Sequence, residues 1–196
     1  ISDIQTRNEK ISLSTSLNKS ARSTNWFIKR TIDNISMSYS AIKTKKSSSQ
    51  ILEETKDDFQ VSGKYIYNWG KENYFSPFSF MKDWFILGAF LGESRYYYTP
   101  EKLSATIKFN ESDKISIQRS TLNETPSYKF NLIRKFTLSH KFTKSFSSNY
   151  TKQIDSNLDH MRDRKWEIIK EMNPGLVKNG SEKFTNSFSP DFLKWL

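Results

Sequence analysis

The 196-residue sequence contains no cysteine, and only six glycines, five prolines and two histidines. Without cysteine there is no disulfide scaffold, no thiolate zinc site and no thiol nucleophile. So few glycines and prolines exclude collagen-like or proline-rich low complexity. No stretch approaches the ~18 consecutive apolar residues of a membrane-crossing helix. Hydrophobic residues reach only 35%, below the ~45–50% usual for a globular domain. That shortage alone would suggest disorder, but aromatics make up 15%, with fifteen Phe and nine Tyr, and disordered chains are poor in them. The chain is basic, 31 Lys and Arg against 21 Asp and Glu giving +10. It starts at Ile1 with no basic-then-apolar leader and stops at Trp195-Leu196, which reads as an internal piece of something longer.

What the sequence does have is a period of two. Ile11, Leu13, Thr15 and Leu17 alternate with Ser12, Ser14, Ser16 and Asn18. Ile35, Met37, Tyr39 and Ala41 alternate with Ser36, Ser38 and Ser40, with Ile42 the exception. Phe59, Val61, Gly63, Tyr65, Tyr67 and Trp69 oppose Gln60, Ser62, Lys64, Ile66 and Asn68. Leu103 to Phe109 keeps the odd phase, and Ile115 and Ile117 extend it weakly. The longest run moves to even positions: Tyr128, Phe130, Leu132, Arg134, Phe136, Leu138, His140 and Phe142, then Phe146, Ser148 and Tyr150. Side chains on a pleated strand point to alternate faces, so each run is a strand with one apolar side. Helical spacing is absent from these segments.

Thr143-Lys144-Ser145 fits a tight hairpin connection, although it lacks the usual Asn-Gly. Asn179-Gly180 is a turn signal, residues 184–189 alternate weakly, and the charged stretch 43–58 reads as a solvated loop. A short helix is predicted around 164–172, where Trp166, Ile169 and Met172 share a face before Pro174-Gly175.

A soluble sheet with one buried face would give the same alternation. Three features favour a membrane barrel. The runs 59–69 and 128–142 match or exceed the ~9–11 residues of a tilted spanning strand. Long loops alternate with a short connection. Aromatics gather in a rim-like stretch from Tyr74 to Leu91, followed by Tyr96-Tyr97-Tyr98; Trp and Tyr suit a membrane–water interface. A core helix is the alternative for 74–91. With six or seven candidate strands, fewer than the ~8 of the smallest bacterial barrels, the chain cannot close alone. Orphan strand edges are not tolerated in hydrocarbon. The expected fold is therefore all-β: an antiparallel arc of a large transmembrane outer-membrane β-barrel, with short rim helices in long loops. The whole of 1–196 belongs to it, with no separate second domain.

In that fold the polar face becomes a cationic, water-filled lining. Lys64, Asn68, Lys108, Lys129, Asn131, Lys135 and Lys141 are its lumen-facing candidates, with Lys152 assigned to the same face. Either it repels cations and brushes acidic cargo or it simply keeps the lumen wet. Membrane-interface candidates are Trp69, Tyr74, Phe75, Phe78, Trp84, Phe85, Tyr97, Tyr98 and Trp195. Arg134 joins them, because an Arg on the apolar face costs ~2–4 kcal/mol at the midplane but only ~0–1 near the interface. His140 has no evident role in this reading.

No enzyme chemistry is visible. His140 and His160 lack metal-ligand spacing, and no phosphate loop or nucleophile elbow occurs. The pairs Glu53-Glu54 and Asp57-Asp58 lie in a charged stretch, not the desolvated setting a general acid needs. No cofactor is expected. Basic charge among aromatics suits single-stranded nucleic acid, but the charge is spread along the chain rather than clustered, so no nucleic-acid partner is expected.

The segment Phe130-x-Leu132-x-Arg134-x-Phe136-x-Leu138-x-His140-x-Phe142-Thr143-Lys144-Ser145-Phe146, continuing through Tyr150 to Ile154-Asp155, resembles the SprA (Sov) family of giant outer-membrane barrels. Phe146 stands where that family has Leu after Thr-Lys-Ser. Asp33-Asn34-Ile35-Ser36 is similar to its Asp-Asn-Ile-Ser strand start, and Phe75-Ser76-Pro77-Phe78 with Tyr98-Thr99-Pro100 to its rim segment. The end, Pro190-Asp191-Phe192-Leu193-Lys194-Trp195-Leu196, is similar to its Pro-Leu-Leu-Asp-Trp-Ile motif, with Asp191 and Trp195 spaced differently. The resemblance implies the translocon of the type IX secretion system, a non-enzymatic protein-export channel associated with gliding motility. It lies in the cell outer membrane of a Gram-negative, Bacteroidetes-type bacterium. The implied partners are outer-membrane lipid and lipopolysaccharide, exported protein cargo, a plug protein and a smaller shuttle barrel. The alternatives are a nutrient-uptake or lipopolysaccharide-assembly barrel, and, ranked below them, a soluble basic β-domain that binds nucleic acid or a partner protein.

Overall fold

The computed structural model describes residues 6–19, 22–69, 73–83, 94–170 and 175–188. Trp84, Phe85 and Trp195 lie outside them, as do Met172, Pro174 and the whole C-terminal motif 190–196. The alternating runs become strands β1 (Arg7–Asn18), β2 (Ile35–Ser47), β3 (Ile51–Asn68), β6 (Lys102–Gln118), β7 (Glu124–Lys141), β8 (Phe146–Asn157) and β9 (Leu176–Phe188). Two short strands, β4 (Tyr74–Phe75) and β5 (Tyr96–Tyr97), pair separately. Helix is confined to connections: α1 (Trp26–Arg30) and short 3-10 turns. The protein is all-β and mostly antiparallel. Its seven-stranded sheet runs β1-β2-β3-β6-β7-β8-β9 in order, with β1 and β9 at the two ends.

The β1–β2 register joins like with like. Leu13 faces Ala41, Thr15 faces Tyr39 and Leu17 faces Met37; on the reverse, Ser14 faces Ser40 and Ser16 faces Ser38. Residues directly opposite share a face, so apolar rungs and hydroxyl rungs separate cleanly, and the register fixes which side is greasy.

Several expectations change. Residues 43–58 are strand on both sides of a turn at 48–50, not a solvated loop. Their charges pair instead of repelling: Lys43 lies 3.6 Å from Asp57, Lys56 2.8 Å from Asp58, and Lys114 of β6 2.8 Å from the buried Glu54. Asn179-Gly180 is not a turn but the middle of β9. The helix predicted at 164–172 is a 3-10 turn, Lys165–Ile169, preceded by another at Asp159–Met161. The 143–145 connection does turn, and Thr143 replaces the missing glycine: its Oγ1 accepts from the Phe146 amide at 2.9 Å and the Ser145 amide at 3.3 Å.

Two compact units are distinguishable, one comprising Ile1–Lys64, Thr106–Arg134 and Ile154–Gly180, the other Tyr65–Ala105, Lys135–Gln153 and Ser181–Leu196. Within the first, the β8–β9 connection folds over the sheet. Leu158, Met161 and Ile168 bury Phe130 and Leu132, with Phe109 and Tyr128 against them. The Leu158 amide donates to the Phe130 carbonyl at 2.7 Å, and the Asp159 carboxylate accepts from the Phe130 amide. Lys165 reaches Glu111 at 2.6 Å, and Arg162 pairs with Asp113. In the second unit, Trp69 donates its amide to the Glu101 carbonyl at 3.1 Å, which anchors the end of β3.

Gly175 closes this connection at φ +80, where a Cβ would meet Leu158 Cδ2 at 2.3 Å and the Asn157 carbonyl oxygen at 2.6 Å. Gly180 has nothing within 4 Å of that position. Gly175→Ala should therefore destabilise the protein by about 1–3 kcal/mol, through a left-handed backbone and a backbone clash. Gly180→Ala should leave the denaturation midpoint unchanged or raised. Equal midpoints for the two variants would contradict this account of the connection.

Candidate functional site

In a soluble sheet the apolar side is the covered one. Here β2 and β3 reverse that. Ile35, Met37, Tyr39, Phe59 and Val61 are exposed, with Met37 at 56% and Val61 at 46%. Their neighbours Ser36, Ser38, Ser40, Gln60 and Ser62 are half-buried. The polar side is internally bonded: Ser38 and Ser62 hydroxyls lie 2.7 Å apart, and Ser36 Oγ donates to the Lys64 carbonyl at 3.4 Å. The second unit repeats the pattern, with Ser139 Oγ donating to Asn149 Oδ1 at 3.0 Å. Hydroxyls placed opposite one another satisfy each other, so this face tolerates partial burial without losing its hydrogen bonds.

The apolar side continues through Leu13 and Leu17 of β1 and Ile107 of β6, all exposed. Thr15, Leu17, Met37, Tyr39, Val61, Ile107 and Phe109 surround an open depression of about 320 Å³, where Gly63 contributes no side chain. Along the same side the sequence turns charged, at Lys43 and Asp57 and at Glu111 and Asp113. An apolar belt therefore ends in a charged border. Phe130 and Leu132 are exceptions, because the 158–168 connection covers them.

An aromatic cluster forms within the second unit. Tyr74 pairs with Tyr97 and Phe75 with Tyr96, the rings 5.7 and 5.8 Å apart. The Tyr97 amide donates to the Phe142 carbonyl at 2.9 Å, and Tyr96 bridges to Thr143. Phe142 stacks between His140 at 4.1 Å and Phe146 at 5.3 Å. His140, for which the sequence suggested no role, has its Nε2 3.2 Å from the Tyr97 carbonyl. A carbonyl only accepts, so Nε2 carries the proton and the imidazole ties β5 to the end of β7. Cations sit over two of the rings, Arg95 at 4.6 Å from Tyr74 and Lys141 at 6.0 Å from Tyr97.

Of the interface candidates, Tyr74, Phe75 and Tyr97 meet in this cluster, whereas Trp69 packs edge-on against Tyr67 at 4.7 Å. Tyr98 is exposed and Phe78 half-buried. Arg134 is half-buried and its guanidinium donates to Ser156 Oγ at 2.8 Å, so it serves a buried hydroxyl next to the covered patch. Among the lumen candidates, Lys64, Asn68, Lys129 and Lys135 are exposed; Lys108, Asn131 and Lys141 are half-buried. Lys152 moves to the other side. It has the parity of Tyr150, and both approach Glu182, Lys152 at 4.0 Å and Tyr150 through its hydroxyl.

The alternation gave no sign of the β1–β2 connection. Asn25 caps α1, its Oδ1 accepting from the Phe27 amide at 2.9 Å. Thr31 Oγ1 donates to the Phe27 carbonyl and Asn34 Nδ2 to the Lys29 carbonyl, both at 2.7 Å. Asp33 is the hub, accepting from Lys19 Nζ and from the Ser23 amide and hydroxyl. An Asn four residues before paired basic residues, followed by Asp33-Asn34, is the local signal that would have marked this turn.

No protein-family model matches the chain, and no curated protein is significantly similar to it.

The Lys19 ammonium, then the Ser23 amide, hold the Asp33 carboxyl below its ordinary value of 3.8. A lowered carboxyl favours the folded loop in its ionised form. That contribution is complete above pH ~4 and is lost as pH falls through the lowered value. The Ser23 amide resonance, titrated from about pH 6 to 2, should show its inflection below 3.8, and Asp33→Asn should abolish it. An inflection at or above the ordinary value would refute the hub.

Proposed function

We propose that this chain forms part of the wall of an outer-membrane β-barrel. In the role implied by its resemblance to the SprA (Sov) family, that barrel is the non-enzymatic protein-export channel of type IX secretion. The observation that carries the membrane reading is the reversed exposure of β2 and β3: Met37, Tyr39, Phe59 and Val61 out, serines half-buried. Covering one such side chain is worth about 1.5–3 kcal/mol. Left in water, five or six of them would forgo roughly 10 kcal/mol, a large share of a domain's total stability. Lipid removes that cost without any second protein layer.

The dimensions support this. From Phe59 to Tyr67 the apolar run of β3 rises about 26 Å, or roughly 20 Å at a tilt near 40°, close to the ~25 Å apolar band of outer-membrane barrels. The charged border at Lys43, Asp57, Glu111 and Asp113 then stands at one edge of the hydrocarbon, and the opposite side, carrying Ser38, Ser62 and Lys64, lines water. Outer-membrane lipid and lipopolysaccharide would contact the greasy side, and exported cargo the wet one. The export role, with its plug protein, shuttle barrel and Bacteroidetes-type outer membrane, rests on the ordered motifs between Asp33 and Asp155. These give it preference over a nutrient-uptake or lipopolysaccharide-assembly barrel.

A pair of adjacent substitutions tests the membrane reading in the full-length protein. Val61→Arg places a cation in the lipid belt and should cost about 2–4 kcal/mol, seen as a severalfold or greater loss of folded protein from the outer-membrane fraction. Gln60→Arg, one residue away on the wet side, should be nearly neutral. In a sheet bathed in water on both sides, a half-exposed Val61 would accept Arg as readily as Gln60 does. Equal yields would therefore end the proposal.

A further inference from the structure

Trp26 and Phe27 are 68% and 58% exposed, although they sit on a turn fastened at many points. They lie side by side in α1, their rings 6.0 Å apart and edge-on, with the Arg30 guanidinium 5.7 Å from the Trp26 ring. Lys29 and Arg30 fill the last turn of the helix. Over residues 22–34 three cations, Arg22, Lys29 and Arg30, stand against one acid, Asp33. The turn thus offers two large rings and a net positive charge on a backbone that Asn25, Thr31, Asn34 and Asp33 hold in place.

Its position in the fold matters equally. The connection leaves β1 after the Leu17–Met37 rung, the last apolar rung of that pair, and re-enters β2 at the exposed Ile35. It therefore begins where the apolar rungs end. Amphipathic rings with adjacent cations match a layer in which acyl chains give way to phosphate: the rings enter the boundary and the cations stay at headgroup level.

We propose that the turn 22–34 is a lipid-anchoring finger: Trp26 and Phe27 insert at the bilayer boundary, and Lys29 and Arg30 engage the phosphates of anionic lipid headgroups. This rests on the membrane reading of the sheet. Asp33 is a positioning residue, since it touches no lipid but fixes the turn through Lys19 and Ser23. Ordering the finger in advance removes an entropy cost that a loose loop would meet on binding.

These 196 residues contain no cysteine, so single labels can be placed here once any cysteine elsewhere in the full-length protein is replaced. An environment-sensitive fluorophore is attached at Phe27→Cys, with Trp26→Cys as a second site, and separately at Leu13→Cys on the apolar side. The full-length protein is reconstituted in vesicles of phosphatidylcholine alone or with phosphatidylglycerol, and brominated acyl chains report depth. Labels at 13 and 27 should both be quenched, 27 by shallow bromines only. Quenching at 27 should rise severalfold with phosphatidylglycerol and fall back when Lys29→Glu and Arg30→Glu are combined. Asp33→Asn should weaken quenching at 27 and leave 13 unchanged. A label at 27 that stays in water while 13 is quenched overturns the finger and leaves the sheet reading standing. Quenching at 27 that ignores lipid charge and charge reversal overturns the headgroup contact. If 13 is also in water, the sheet reading falls and the finger with it.

Discussion

On a pleated strand the side chains cannot choose their side. Once β1 and β2 pair with Leu17 opposite Met37 and Ser16 opposite Ser38, every apolar residue of the odd set is committed to one face and every serine to the other. A one-residue slip would exchange the two sets completely. The consequences described here descend from that constraint: the hydroxyl pairing of Ser38 with Ser62, the charged border at Lys43 and Asp57, and the open depression beside Gly63. What distinguishes this sheet is which face is left uncovered. Satisfied hydroxyls make the polar side self-sufficient, whereas the apolar side needs an environment that the described residues provide around Phe130 and Leu132, with Phe109 and Tyr128 beside them.

That local cover shows how the same face can serve two ends. The 158–168 connection lays Leu158, Met161 and Ile168 on Phe130 and Leu132 and secures itself with Lys165–Glu111 and Arg162–Asp113. These ion pairs are partly exposed, and such pairs contribute little each. The buried aliphatic contacts and the Gly175 closure do most of the holding. Arg134, adjacent to this patch, is accommodated by Ser156. An arginine on an apolar strand face thus has a neighbouring hydroxyl to bond.

Strand identity was legible wherever one face was apolar, as in β1, β2, the end of β3 and β7. It was hidden where both faces were polar. Lys43, Glu54, Lys56, Asp57 and Asp58 look like a solvated loop when the stretch is read by its polar composition. Their partners lie on other strands or two residues along the same strand, and one is Lys114, sixty residues beyond Glu54. Asn179-Gly180 misled for the converse reason, since a turn-favouring pair is also compatible with an extended strand. The aromatic cluster was half legible: Tyr74, Phe75 and Tyr97 were recognisable by type, but the part played by His140 depends on the Tyr97 carbonyl, a backbone group that no pattern displays. The finger around Trp26 was missed because five residues of helix are too few to show a period.

The central claim is that the odd-numbered side chains of β3 meet hydrocarbon while the even-numbered ones meet water. The most direct measurement is a spin-label scan of single cysteines at 59–67 in the reconstituted protein, comparing collision with oxygen, which concentrates in lipid, against collision with a water-soluble nickel complex. The account predicts two opposed sawtooth profiles of period two, with oxygen maxima at 59, 61, 65 and 67. Odd positions that admit the nickel complex as freely as even ones, or that are shielded from both reagents, would contradict it.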